Sequence, residues 1–176
     1  RLKDAAFHTR KAIEINPNYA IAHFNLGNIL KDLGKLKNAE LSYRKAIELN
    51  PSFTDVYYNL GNLFFDLNKL KDAELSYRKA IQLNPNFTAA HYNLGRISID
   101  LGKLKDAELS YRKAIELNPN FAICHANLGD LLRDLGKLKD SEFHTRKAIE
   151  INPNYAIAHA NLGDFLRDYG NLKDAE

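Results

Sequence analysis

Histidine and cysteine are the first side chains here to weigh as metal ligands or nucleophiles. His23, His91, His125 and His159 stand at steps of 34 or a multiple of it, and His8 and His144 are 136 residues apart. Zinc draws its ligands to about 2.0–2.1 Å. Equivalent residues on successive parallel helices, packed about 8–10 Å apart, cannot share one ion. The four histidines therefore read as partly buried packing residues, and His8 and His144 as solvent-side residues. Cys124 neighbours His125, about 100° round a helix, and reads as a small packing residue. A single thiol excludes a disulfide framework and a multi-thiolate zinc site. Gly27 and Gly34-Lys35 imitate a phosphate loop, but six residues separate them instead of four and no serine or threonine follows. No triad, metal site or cofactor site emerges, and the chain does not read as an enzyme.

A polar ladder is more informative. Asn25, Asn59, Asn93, Asn127 and Asn161 recur without change, and Asp32, Asp66, Asp100, Asp134 and Asp168 follow seven residues later, on the same helical stripe. Between them lie Asn28, Asn62, Arg96, Asp130 and Asp164. Asparagine is a poor helix former, so its recurrence has another reason. Three remain open: contact with a ligand, hydrogen bonds to a neighbouring helix, or recent duplication. Residues 7–23 and 143–159 are identical, so under the duplication reading the repeats have had little time to diverge.

The elements that carry these residues are set by a strict period. Pro17, Pro51, Pro85, Pro119 and Pro153 are spaced by 34, as are Gly27, Gly61, Gly95, Gly129 and Gly163. Gly34, Gly102, Gly136 and Gly170 form a second glycine series with Asn68 in its gap. A fixed period over the whole chain predicts stacked supersecondary units. Each period predicts two helices. The first spans Ala20 to Leu33, with Leu26, Ile29, Leu30 and Leu33 on one stripe; the second spans about Leu36 to Leu49, with Leu36, Ala39, Tyr43, Ala46 and Ile47. Gly34 and its equivalents, Gly170 included, are expected to stop the first helix, and Asn50-Pro51 the second. Ser52 is expected to cap the next helix. Gly61 is expected to face a close neighbour, with Ala46, Ala80, Ala114 and Ala148 as matching small residues.

Composition agrees with a folded, soluble chain: 45% hydrophobic and 27% charged, with a net charge of +3 and no apolar run long enough to span a membrane. The opening RLKDAAFHTRKAI is not a signal peptide, and the lack of methionine suggests a piece of a longer or processed protein. Nucleic acid is not expected as a partner, because most cations (Lys35, Lys37, Arg44, Lys45) fall on the second helices.

The NLG phrase of the first helix, the paired alanines of the second and the closing proline resemble the tetratricopeptide repeat, over essentially all 176 residues. Its usual first-helix tryptophan is replaced by His23, Tyr57, His91, His125 and His159. The AH-x-NLG and GKL-x-x-A phrases look most like the repeat arm of O-linked N-acetylglucosamine transferases, which leaves a targeting arm of a larger transferase, or a structural self-assembling module, as alternatives. The resemblance implies an all-α solenoid, a right-handed superhelix whose first helices line a concave, peptide-binding groove. Its units would be a truncated repeat at 1–19, full repeats at 20–53, 54–87, 88–121 and 122–155, and a truncated repeat at 156–176. The implied partner is an extended protein or peptide segment, about three residues per rung, held by the asparagine, aspartate and Arg96 positions above. Eight groove aspartates against four cations favour a basic or hydroxyl-rich ligand, with Phe24, Tyr58 and Tyr92 adding apolar contact. The carboxylate clamp of chaperone-binding relatives is not expected: Phe24, Ala89 and Asn93 stand where it needs cations, beside Asn28 and Asn59. A cytoplasmic location is expected, with weak head-to-tail self-association through open ends.

Overall fold

A computed structural model describes residues 1–174. Among them are ten helices and no strand: α1 (Leu2–Ile15), α2 (Ala20–Asp32), α3 (Leu36–Leu49), α4 (Thr54–Asp66), α5 (Leu70–Leu83), α6 (Thr88–Asp100), α7 (Leu104–Leu117), α8 (Ala122–Asp134), α9 (Leu138–Ile151) and α10 (Ala156–Asp174). The fold is an all-α solenoid of helix-turn-helix repeats. Its contacts gather into two units, residues 1–90 and the residues from His91 onward.

Each short turn is fixed by local chemistry. After α2, Gly34 takes φ 70° while its N–H donates to Lys31 O at 2.9 Å and that of Lys35 to Leu30 O at 2.8 Å. These paired bonds satisfy the last carbonyls of the helix and turn the chain back. Asn68 does the same at φ 55°, because asparagine tolerates the left-handed region. The Asn-Pro turns differ from expectation. Ser52 does not cap α4; its backbone N–H donates to Asn50 Oδ1 at 3.1 Å, and the capping position falls to Phe53, with no side-chain bond. Proline holds Asn50 extended, and the asparagine amide closes the turn over it.

Gly170 departs further. It lies inside α10, which runs unbroken to Asp174, and is absent from the left-handed residues. Glycine permits a left-handed stop but does not impose one; at Gly34, Gly102 and Gly136 the packing of the following helix does. The stub expected after Gly170 ends outside the described residues.

In the first unit, α2 packs on α3 and α4 on α5, around Ala39, Tyr43, Ala46, Val56, Leu60, Leu63, Tyr77 and Ala80. In the second unit the core holds Tyr111, Cys124, Leu128, Leu131 and Leu132, and a separate alanine contact joins Ala126, Ala148 and Ala158. Glycine is needed where tyrosine packs: a Cβ on Gly61 would stand 2.7 Å from Tyr77 Cε1. Gly163 has nothing within 4 Å, so close packing does not explain that member of the series.

Candidate functional site

The polar positions of the first helices are organised by the second-helix tyrosines. In the first unit, the Tyr43 ring packs against Gly27, and its hydroxyl donates to Asn28 Oδ1 at 2.7 Å. The same oxygen accepts from Asn59 Nδ2, one repeat on, at 2.9 Å. Tyr77 repeats the first bond with Asn62 Oδ1 at 2.7 Å. Burial pushes the Tyr43 hydroxyl well above its ordinary range, with Asp32 adding to it, so it stays a neutral donor. One carbonyl oxygen with two lone pairs is thereby filled. Asn28 Nδ2 and Asn59 Oδ1 have no protein partner among the described residues. One donor and one acceptor remain at this rung, held by bonds the protein makes with itself.

Aromatic rings brace the same surface. Phe24 packs against Tyr43 and Phe53 at centroid distances of 6.2 and 5.0 Å, and Tyr58 against Tyr77 and Phe87 at 5.9 and 4.8 Å. Lys31 pairs with Asp66 at 3.0 Å.

The second unit changes character. Asn127 Nδ2 donates to the Tyr92 hydroxyl at 3.2 Å, and the Arg96 guanidinium lies over the Tyr92 ring, 5.8 Å from its centroid. Asn161 Nδ2 donates to Ala126 O at 3.4 Å. Arg133 bonds Asp130 at 2.8 Å and lies 3.8 Å from both Asp134 and Asp164, while Arg167 reaches Asp164 at 3.0 Å and Asp168 at 3.2 Å. Partial burial raises the Asp130 carboxyl, Arg133 opposes that, and Asp134 and Asp164 reinforce it. Ala126 stands where Phe24, Tyr58 and Tyr92 are aromatic, and Thr145 where Tyr43, Tyr77 and Tyr111 are tyrosine.

Hydrogen bonding to a neighbouring helix is therefore what the amides of Asn59, Asn127 and Asn161 do. Asn25 is exposed and Asn93 half-buried; Asp32, Asp100 and Asp134 are exposed near the ends of their helices. Sequence spacing could not show that Asn28 and Asn59 share a bond, since 31 residues separate them.

The histidines divide. His23 and His159 bond the carbonyls of Pro17 and Pro153 at 2.9 Å. His144 is a correction: it is buried, not solvent-facing, and its Nδ1 lies 2.9 Å from Nδ1 of buried His125. Positions 42, 76 and 110, where His144 would align, are buried serines, so this face is core in α3, α5 and α7 as well as in α9. Burial, aided by His125 and Arg112, lowers His144 to about 4 and burial lowers His125 as well. Cys124 is a packing residue as expected; its thiol, 3.5 Å from Tyr111 O, is pushed by burial to about 12. Among the described residues no three His, Cys, Asp or Glu side chains could hold a metal, and no helix is long and apolar enough to cross a membrane.

A tetratricopeptide repeat family model matches residues 8–40, 110–143 and 144–176, more than half of the chain, and another of the same description matches 54–87 and 88–121. A third, described as TPR repeat, matches 27–67. Among solved structures, YrrB, a TPR protein, is 30% identical over 95% of this chain and 86% of its own, with a TM-score of 0.84. MamA is 25% identical over 88% of this chain and 91% of its own, at 0.81. PilF of Pseudomonas aeruginosa, 21% identical over 99% of this chain and 86% of its own, also at 0.81, shares the fold. No curated protein matches the sequence.

Proposed function

This chain belongs to the tetratricopeptide repeat family and is a protein-interaction repeat scaffold; from that premise we propose that its first-helix surface binds an extended peptide segment by the peptide backbone. The observation that carries this reading is the α2–α4 rung. Asn28 Nδ2 and Asn59 Oδ1 offer one donor and one acceptor, the complement of a peptide unit, already oriented by the Tyr43–Asn28–Asn59 bonds. Pre-organised side chains lose less freedom when a ligand arrives. A net hydrogen bond is worth about 0.5–1.5 kcal/mol, so affinity accumulates over several rungs. YrrB, described as having an unusual peptide-binding site, supports the ligand class.

The second unit favours basic or hydroxyl-bearing side chains, because among the described residues Asp130, Asp134, Asp164 and Asp168 share Arg133 and Arg167. Binding, not catalysis, is the role of the surface. The test is fluorescence anisotropy with labelled unstructured peptides of graded charge. Asn28→Ala, checked for folding by circular dichroism, is expected to weaken binding several-fold. If the folded variant binds every peptide as the parent does, the backbone-reading role is wrong.

A further inference from the structure

The second helices carry a surface that groove binding does not use. Phe7, Leu41, Leu75, Leu109 and Phe143 share one position of the repeat, and each is between 56% and 67% exposed. Isolated exposed apolar residues are ordinary. Here the apolar character persists while the sequence around it changes: Leu-Ser-Tyr at 41–43, 75–77 and 109–111 becomes Phe-His-Thr at 7–9 and 143–145. The other two positions of the triplet, buried in α3, α5, α7 and α9, are rebuilt, yet the exposed one stays large and apolar.

Lysine flanks the apolar residue one helical turn before and one turn after. Lys37, Leu41 and Lys45 mark the pattern in α3, and Lys71, Leu75 and Lys79 in α5; residues four apart lie on one helix face. Lys45 is engaged by Glu48 at 2.7 Å, and Lys79 donates to Gln82 at 3.0 Å. Lys37 and Lys71 are exposed and have no carboxylate partner among the described residues, as is true of Lys3, Lys105 and Lys139 at the same position. In the first unit this surface borders a cleft of about 440 Å³ between α3 and α5, floored by α4. Ile47, Tyr57, Leu60, Phe64 and Leu75 make its apolar lining, its charged lining is balanced between Arg44 and Lys79 and Glu48 and Asp72, and Lys37 and Lys71 lie outside it.

We propose that this outer face of the first unit docks an acidic amphipathic helix of a partner protein, with an apolar side chain entering the α3–α5 cleft and carboxylates meeting Lys37 and Lys71. Charge decides the occupant. The lysines without a carboxylate lack the partner that Lys45 and Arg44 already have, and an acidic helix supplies it beside an apolar stripe. The site is independent of the first-helix surface, so the two can fail separately.

The experiment uses the 176-residue chain and a labelled helical peptide with leucines on one face and glutamates on the others. Its lysine counterpart and phosphatidylserine vesicles serve as comparison probes. The acidic peptide is expected to bind, more weakly as salt is raised, and the lysine peptide is not. Leu41→Ser with Leu75→Ser, and separately Lys37→Glu with Lys71→Glu, should each reduce affinity by roughly tenfold or more while leaving the thermal melt unchanged, as hot-spot truncation at exposed positions does. Asn28→Ala should leave this binding unaltered. Equal binding of both peptides, no effect of either double variant, or binding confined to the vesicles would overturn the proposal.

Discussion

Asn28 is the residue on which structure and binding meet, and its replacement separates them. Asn28→Ala leaves the hydroxyl of fully buried Tyr43 without its acceptor. An unpaired buried donor costs about 1–3 kcal/mol, which urea unfolding should register as a lower midpoint at unchanged slope. Asn25→Ala, at an exposed position with no such bond, should leave stability within about 0.5 kcal/mol. A second residue-scale outcome concerns the His125–His144 contact. Both imidazoles ionise at lower pH in the folded chain than their ordinary 6.5, His144 near 4, with Arg112, Lys147, Asp140 and Glu150 as the charged groups around them. Between about 6.5 and 4 the unfolded chain binds more protons, so stability should fall as pH is lowered through that window. Chemical denaturation from pH 7 to 4.5 checks it. His144→Ser, the residue of positions 42, 76 and 110, should flatten the slope.

At the scale of the helix, the glycine series predicts opposite signs for one substitution. Gly61→Ala drives a methyl into the ring of Tyr77 and should destabilise by about 1–3 kcal/mol. Gly163→Ala meets nothing within 4 Å inside α10 and should stabilise by about 0.5–1 kcal/mol, because alanine is the better helix former. Thermal melts of the two variants decide it; equal signs would refute the packing account. α6 holds a comparable irregularity. Ser98 is fully buried and its hydroxyl lacks a partner, at the position where Leu30, Phe64 and Leu132 are buried apolar residues. Ser98→Leu should raise stability by about 1 kcal/mol or more, by removing an unsatisfied hydroxyl and adding apolar burial.

For the whole molecule, the concern is which apolar surface stays uncovered. Leu166 and Tyr169 of α10 are 49% and 42% exposed, while Phe165 beside them is buried. The expected head-to-tail contact would run through this surface, and a heterologous contact of that kind extends unless it closes. Sedimentation of the 176-residue chain should show reversible association at high concentration, abolished by Leu166→Ser with Tyr169→Ser. A single species at all concentrations would remove the contact.

The period of 34, the helix pairs and the stop at Gly34 were legible in sequence because they rest on local rules: hydrophobic spacing, proline geometry and the freedom of glycine at positive φ. So was the family, since its phrases are local too. What a residue does within the period was not legible. Gly34 and Gly170 are one residue type at one repeat position, yet the first ends a helix and the second lies inside one. His8 and His144 share a position and identical neighbours, and only His144 is buried, against His125. The five ladder asparagines are the same in sequence, but Asn59 bonds an amide, Asn127 a phenol and Asn161 a backbone carbonyl. The physical reason is common to all three. A repeat specifies its own helices through contacts a few residues apart, whereas burial and hydrogen-bond partners come from other helices, 19 residues away for His125 and His144 and 31 to 35 for the asparagines, and those surroundings differ along the chain.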